Sequence, residues 1–414
     1  MAVLIEGSTY FELRCIDIST FIPNEDQYEL LSRLHQWWTT KYKQIFVYSG
    51  GPGTGKTTVI KEFLRFCNIG IDEVLAAAYS GKAVNVMCDQ GLHAQTIHST
   101  FYHPVWEKVL DEFGEPVMKK GRPEFRMDFV PKEELPSNAK LIIIDELSMV
   151  PDNIMEDILS FGLPVVGIGD INQLPPIFGS CSYMLRPDFF LTKIMRQAEG
   201  DPIVEFCTDI LNYRNLRYGT YEGPRGTSRV MDKVIMDTNL MDDYDMIICC
   251  RNATRDRFNE FIRRELCRRP EYPVEHDKII CRQNVKDRSN GGRFLTNGTI
   301  GWVDYIIPGS MSKKKVKIDF VPDYDPNITY PNLEIDLEYL LMSHEERLNV
   351  GMRKNIKFEY GNIITSHLSQ GSQYDRVLFI DEPFGDRAMV RALRYTAISR
   401  AAKSIDIVTQ SRYS

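Results

Sequence analysis

Gln44-Ile-Phe-Val-Tyr-Ser-Gly-Gly-Pro-Gly-Thr-Gly-Lys-Thr-Thr58 is the stretch that decides the fold. Residues 44–49 are apolar and β-prone, residues 58–66 carry a helical apolar pattern, and the glycine-rich turn from Gly50 to Thr57 completes G-x-x-x-x-G-K-[ST]. Strand, loop and helix in that order open an α/β domain with a parallel sheet. The glycines let the backbone curl, so that its N–H groups and the helix N-terminus face a triphosphate. Gly51, Gly53, Thr54, Gly55, Lys56, Thr57 and Thr58 are expected to hold ATP, with Lys56 against the β- and γ-phosphates and the Thr57 hydroxyl on Mg2+.

Such a loop needs a second metal anchor and a base for the attacking water. Leu141-Ile-Ile-Ile-Asp-Glu146 offers a buried strand ending in two carboxylates, Asp145 for the magnesium shell and Glu146 for the water. A third apolar strand, Val165 to Ile168, runs into Gly169-Asp-Ile-Asn-Gln-Leu-Pro-Pro176. The amide of Gln173 there can donate to the γ-phosphate and accept from the water. The loop and the acid pair alone leave kinase, transporter ATPase, switch and motor all open.

Composition narrows the class. The 43% hydrophobic and 26% charged residues are ordinary for a globular protein, and no apolar run nears the ~18 residues of a membrane span. Met1 to Cys15 carries Glu6 and no basic segment ahead of an apolar core, so it does not read as a signal peptide. Nine cysteines without C-x-x-C spacing argue against metal or disulfide roles and for a reducing cytoplasm. A formal charge of -7 means that any nucleic acid must be gripped in a local groove rather than by a general basic surface.

From Gly169 onward the chain resembles superfamily 1 helicases, which carry G-D-x-x-Q-L-P at this point. Leu191-Thr-Lys-Ile-Met-Arg-Gln-Ala198 is similar to the family motif whose arginine reaches the γ-phosphate, a role that falls to Arg196. Leu393-Arg-Tyr-Thr-Ala-Ile-Ser-Arg-Ala401 is similar to the last motif, with Arg400 as the finger and Ser399 where threonine is usual. An arginine delivered from a second domain couples hydrolysis to domain closure, which is what a motor requires. Ile363 to Phe379 resembles T-x-H-K-x-Q-G-x-x-[FY]-D, with Leu368 in place of the lysine. The resemblance assigns Ser366 and His367 to nucleic acid and Gly371 to the nucleotide side.

Two further segments resemble the RecD/Dda-like branch, superfamily 1B. Ala78-Tyr-Ser-Gly-Lys-Ala-Val84 stands where the family has A-P-T-G-K-A-A, implying Ser80 and Lys82 as strand contacts, and Thr96-Ile-His98 matches T-I-H, implying Thr96 and His98. The resemblance also implies Asn252 after a second-domain strand, Asn297 in an N-G-x-x-G turn opening an SH3-like insertion, and Gln27 as a reader of adenine. A helix-start role is the rival reading for Gln27, and a plain hairpin turn for Asn297. Phe101, Tyr102 and Trp302 are candidate stacking aromatics, and Pro123 to Phe129 a candidate duplex-splitting wedge.

The implied architecture is two RecA-like P-loop motor domains with parallel sheets, 1–190 and 191–414, each with a small β-rich insertion near 102–140 and 282–358. The implied activity is an ATP- and Mg2+-dependent helicase travelling 5′ to 3′ on single-stranded DNA. Duplex junctions, and replication proteins such as a single-strand-binding protein, are the implied partners. The rivals are the same motor on RNA and a P-loop ATPase that does not unwind.

Overall fold

The computed structural model describes residues 22–108, 115–119, 122–123, 125–176, 179–192, 200–234, 240–266, 272–283, 285–286, 294–312, 314–348, 350 and 355–409. Ile45–Gly50, Leu141–Asp145 and Val165–Gly169 are buried along nearly their whole length. That is the pattern of strands covered on both faces, and all three lie in one parallel sheet. Its order is Phe189–Leu191, Ile45–Gly50, Val165–Gly169, Leu141–Asp145, Val74–Ala78, Ala94–Thr96, with every neighbouring pair parallel. Helix Lys56–Phe66 covers the sheet by burying Val59, Ile60, Phe63 and Leu64, each such side chain contributing about 1.5–3 kcal/mol.

A second six-stranded sheet has the order Gly219–Gly223, Gly226–Met231, Ala401–Thr409, Tyr374–Asp381, Met246–Cys249, Ile363–Thr365. It is parallel except for its edge hairpin, where 219–223 runs antiparallel to 226–231. Two α/β domains are therefore present, and that antiparallel edge is a departure from the all-parallel expectation. The strand Phe189–Leu191 crosses the expected division at 190, because its partner is the first-domain strand 45–50.

Each domain carries a β insertion. In the first, Tyr102–Lys108 pairs antiparallel with Phe125–Pro131. In the second, Tyr330–Asp336, Lys315–Pro322, Ile300–Ile306, Lys278–Cys281 and Phe358–Tyr360 make a five-stranded antiparallel sheet that extends beyond 282–358 at both ends. Exposed and buried residues alternate along its strand 315–322, so one face is core and the other solvated.

The domains interlock. Leu174, a first-domain residue, is fully buried inside the apolar core of the second among Ile203, Phe206 and Leu393.

Candidate nucleotide cleft and nucleic-acid groove

The loop after strand 45–50 curls tightly around the start of the next helix. Gly55 has φ +82°, in the left-handed region where side chains are costly, and a Cβ there would also meet the Gln27 amide 2.5 Å away. Lys56 Nζ donates to the carbonyls of Gly50 (2.7 Å) and Gly51 (3.3 Å), while Tyr48 Oη donates to the Lys56 carbonyl (2.8 Å). No side chain caps helix 56–66, so its leading N–H groups are left for an anion. Thr57 is half-buried beside them and Thr58 exposed.

Across the loop stand the strand-end acids. Burial, reinforced by Glu146, pushes the Asp145 carboxyl up to about 6 against the pull of Lys56. Glu146 itself sits at φ +51°, a conformation that the surrounding structure has to enforce. Gln173 is buried, and its Oε1 has no hydrogen-bond partner. A buried amide oxygen left unmatched costs about 1–3 kcal/mol, a penalty that a water or ligand group in the cleft would relieve.

Gln27 takes the rival role that its position suggested. Its side chain closes a capping box with Asn24, and Nε2 donates to the Thr54 carbonyl at 3.0 Å. With 1% exposure it buttresses the loop from behind, and both ends of its amide are already engaged.

The second domain reaches this cleft through hydrogen bonds that join the two halves. Tyr395 Oη donates to Asp170 Oδ2 (2.8 Å), the Leu174 N–H donates to Thr396 Oγ1 (3.1 Å), and Gln370 Nε2 donates to the Leu174 carbonyl (3.1 Å). Arg400 lies just behind that seam rather than at the cleft wall. Its guanidinium donates to Thr396 O, Ser372 O and Ser399 Oγ, and among the described residues it makes no ion pair. Arg196 lies outside the described residues.

The proposed strand contacts gather along the edges of both sheets. Ser80 Oγ accepts from Ala83 N–H (3.2 Å) and Thr96 Oγ1 from Ser99 N–H (3.4 Å), so both hydroxyls cap short helices while staying half-exposed. His98 sits in a ring cluster with Tyr79, Tyr102 and Phe129 at centroid distances of 6.1, 5.5 and 4.7 Å. Burial holds its imidazole below the usual range. Phe101 is core and Tyr102 nearly so, which removes both as stacking surfaces; Trp302 remains 38% exposed.

Lys82 does not face an open groove. Its ammonium has no hydrogen-bond partner, its side chain lies beside Gly298 in the turn before strand 300–306, and the neighbouring Gly81 rests against Thr296. Burial pushes Lys82 down to about 8, with Asp323 opposing and Lys278, Arg282 and Arg400 adding to the fall.

Of the second-domain candidates, Asn297 is exposed in that turn and Asn252 Nδ2 lies 3.2 Å from His344 Nε2. His367 is half-buried. Two expectations need correcting. Ser366 is fully buried and donates to the Cys249 carbonyl (3.3 Å), so it is structural. Gly371 approaches Ser80 and Ala83 rather than the phosphate loop.

A family model described as an AAA domain matches residues 38–179, and one described as a UvrD-like helicase C-terminal domain matches residues 360–408. The two walls of the cleft thus fall one in each. The ATP-dependent RecD2 DNA helicase of Deinococcus radiodurans is 24% identical over 378 residues, covering 86% of this chain and 46% of that protein. An uncharacterised protein of Methanocaldococcus jannaschii is 23% identical over 450 residues, covering 89% of this chain and 37% of its own. The chain therefore spans less than half the length of these curated relatives. Its fold is that of a Pif1 helicase solved for unwinding at forked duplex DNA (TM-score 0.56, 18% identity, 93% and 92% of the two chains). Pif1 from Candida albicans is similar at TM-score 0.52, with 15% identity over 94% and 95%.

The motifs in the sequence do not announce the seam residues Asp170, Gln370, Tyr395 and Thr396. Asp170 had a visible signal, an acid closing a wholly apolar strand next to Gln173. The hydroxyls of Tyr395 and Thr396 had none, because their partners are more than two hundred positions away.

Proposed function

We propose that the chain is an ATP-driven DNA helicase that moves 5′ to 3′ along a single strand and separates duplex at a junction. The observation that carries this reading is the hydrogen-bonded seam. The loop that holds Gln173 is tied at Asp170 and Leu174 to the helix that ends just before Arg400. A change at the γ-phosphate therefore has a short mechanical path to the second domain.

The residues fit ATP with magnesium. A helix start without a side-chain cap, an orphaned Gln173 Oε1 and an Asp145 carboxyl held up by burial are groups that a triphosphate and a divalent cation would complete. Thr57 and Asp145 would hold Mg2+, which supplies charge neutralisation on the terminal phosphates when bound. Lys56 binds the β- and γ-phosphates. Glu146 takes a proton from the water, whose oxygen bonds to the γ-phosphorus as the bond to the β,γ-bridging oxygen breaks, and Gln173 orients that water. Arg400 is tethered in the structure by neutral oxygens only, so a phosphate, making charge-assisted bonds about twice as strong, can draw it across as the domains close.

On the strand side, Ser80, Thr96, His98, Asn252, Asn297 and His367 supply uncharged donors that suit an acidic protein, and single-strand-binding proteins are natural partners. No helix among the described residues is long and apolar enough to cross a membrane, and the described cysteines are all free, which suits work in a reducing cytoplasm. The test is an unwinding assay on duplex DNA with a 5′ or a 3′ tail, alongside ATPase stimulation by single-stranded DNA and RNA. Unwinding confined to the 5′-tailed duplex and stronger stimulation by DNA are expected. Hydrolysis without unwinding of either substrate would reject the motor.

A further inference from the structure

The cleft between the phosphate loop and the second domain has a cation on its far wall that no motif announces. Gly51, Pro52 and Gly53 line one side, while Arg225, Tyr395 and Ser399 line the other. The gap between these walls is open to solvent and has a volume of about 90 Å³, room for a phosphoryl group. It adjoins Gly51, one of the two carbonyls on which Lys56 rests, which places it at the terminal-phosphate end of the loop.

Arg225 is built into that position from three sides. It sits in the turn of the edge hairpin between Gly223 and Gly226. Pro202 opens helix 202–211 directly beneath Gly223, where a Cβ would collide with the proline ring, so only glycine lets the hairpin seat there. Asp201, 3% exposed, then divides its carboxylate: Oδ1 accepts from Ile203 N–H (2.9 Å) as the helix cap, and Oδ2 accepts from Arg225 Nε and Nη2, both at 2.6 Å. Both of those donors converge on one oxygen, so one edge of the guanidinium is fixed. Nη1 forms no hydrogen bond among the described residues. Of the cleft's described lining residues, Arg225 is the one cation.

We propose that Arg225 is a nucleotide-contacting residue: a second-domain guanidinium, aimed by Asp201, that meets the γ-phosphate across the cleft when ATP is bound. The proposal rests on the nucleotide reading above and adds a contact from a different element than Arg400 or Arg196. A cation that meets only the terminal phosphate discriminates ATP from ADP, which is what a closing step needs. Asp201 is a positioning residue, acting through Arg225.

The test measures binding of fluorescent ATP and ADP analogues, single-strand affinity and melting temperature for the full chain and for Arg225→Ala, Arg225→Lys and Asp201→Asn. Loss of one charge-assisted contact should weaken the ATP analogue roughly tenfold or more in Arg225→Ala, leave the ADP analogue within about twofold, and spare single-strand affinity. Lysine cannot hold the carboxylate along one edge and present another, so Arg225→Lys should recover only part of the loss. Asp201→Asn should shift ATP in the same direction by less. If Arg225 merely clamps the hairpin to the helix, Arg225→Ala and Asp201→Asn will lower the melting temperature with the ATP-to-ADP preference unchanged, and the proposal fails. If the unaltered chain binds neither analogue, the nucleotide reading fails with it, an outcome separable from the first because no variant is involved.

Discussion

The two parallel sheets present the same local pattern at their C-terminal edges and put it to opposite uses. In the first, strand 45–50 turns into helix 56–66 beside strand 141–145, which ends in Asp145 and Glu146. In the second, strand 246–249 turns into helix 252–261 beside strand 374–381, and Asp381 is likewise followed by a glutamate, Glu382. There the carboxylate of Glu382 folds over the helix start, accepting from Arg251 N–H (3.2 Å) and Thr254 Oγ1 (2.7 Å), while Asp381 accepts from Arg394 Nε (2.9 Å). The anion place at that helix is filled from within. The first helix has no such cap, Lys56 rests on neutral carbonyls and Gln173 keeps an orphan oxygen. One edge is satisfied and structural, and the other is left unsatisfied and therefore able to bind.

The largest expected contrast is catalytic. Glu146→Gln should lower DNA-stimulated ATP turnover about 10²–10⁴-fold, the usual worth of a positioned base, whereas Glu382→Gln should leave turnover within about twofold in the same steady-state assay. Comparable losses from both would break the distinction between the edges. Next in size is the plug that joins the domains. Leu174→Ala removes a fully buried side chain from the second core and should cost about 2–5 kcal/mol in urea unfolding. A cost below about 1 kcal/mol, the range of ordinary surface changes, would mean the domains do not depend on each other there.

Lys82 sharpens the comparison on the side of charge. Its ammonium is buried without a hydrogen bond, so Lys82→Met should raise stability at pH 7 by about 1–3 kcal/mol in urea unfolding. Its folded-state value, about 8, lies below the ordinary 10.5. The penalty is therefore complete below about 8 and fades as the pH rises toward 10.5, so the gain from Lys82→Met should shrink over that window. A gain that is flat with pH would show that the ammonium carries no penalty. The smallest effect is that of the filled edge itself. Glu382→Gln should cost about 1 kcal/mol through loss of a charged helix cap, read from thermal melts.

The glycine-rich loop, the acid pair and the α/β class were legible because each depends on residues adjacent in the chain. Glycine at 55, lysine at 56 and an apolar run ending in Asp145 specify their geometry within a dozen positions. Ser366 shows where that legibility ended: the motif pattern placed it on the strand, and the fold buried it beneath Cys249. Gln27 shows the same, since its amide is consumed by Asn24 and Thr54.

The amino-acid order by itself determined two α/β domains and the residue pattern on which the nucleotide site is proposed, since backbone curl and the spacing of charged groups along a strand end are local properties. The tertiary structure alone decided which polar groups stay free to act. Thr254 finds Glu382 across 128 positions and Leu174 finds Thr396 across 222, and whether a donor is satisfied depends on partners that no local pattern can name.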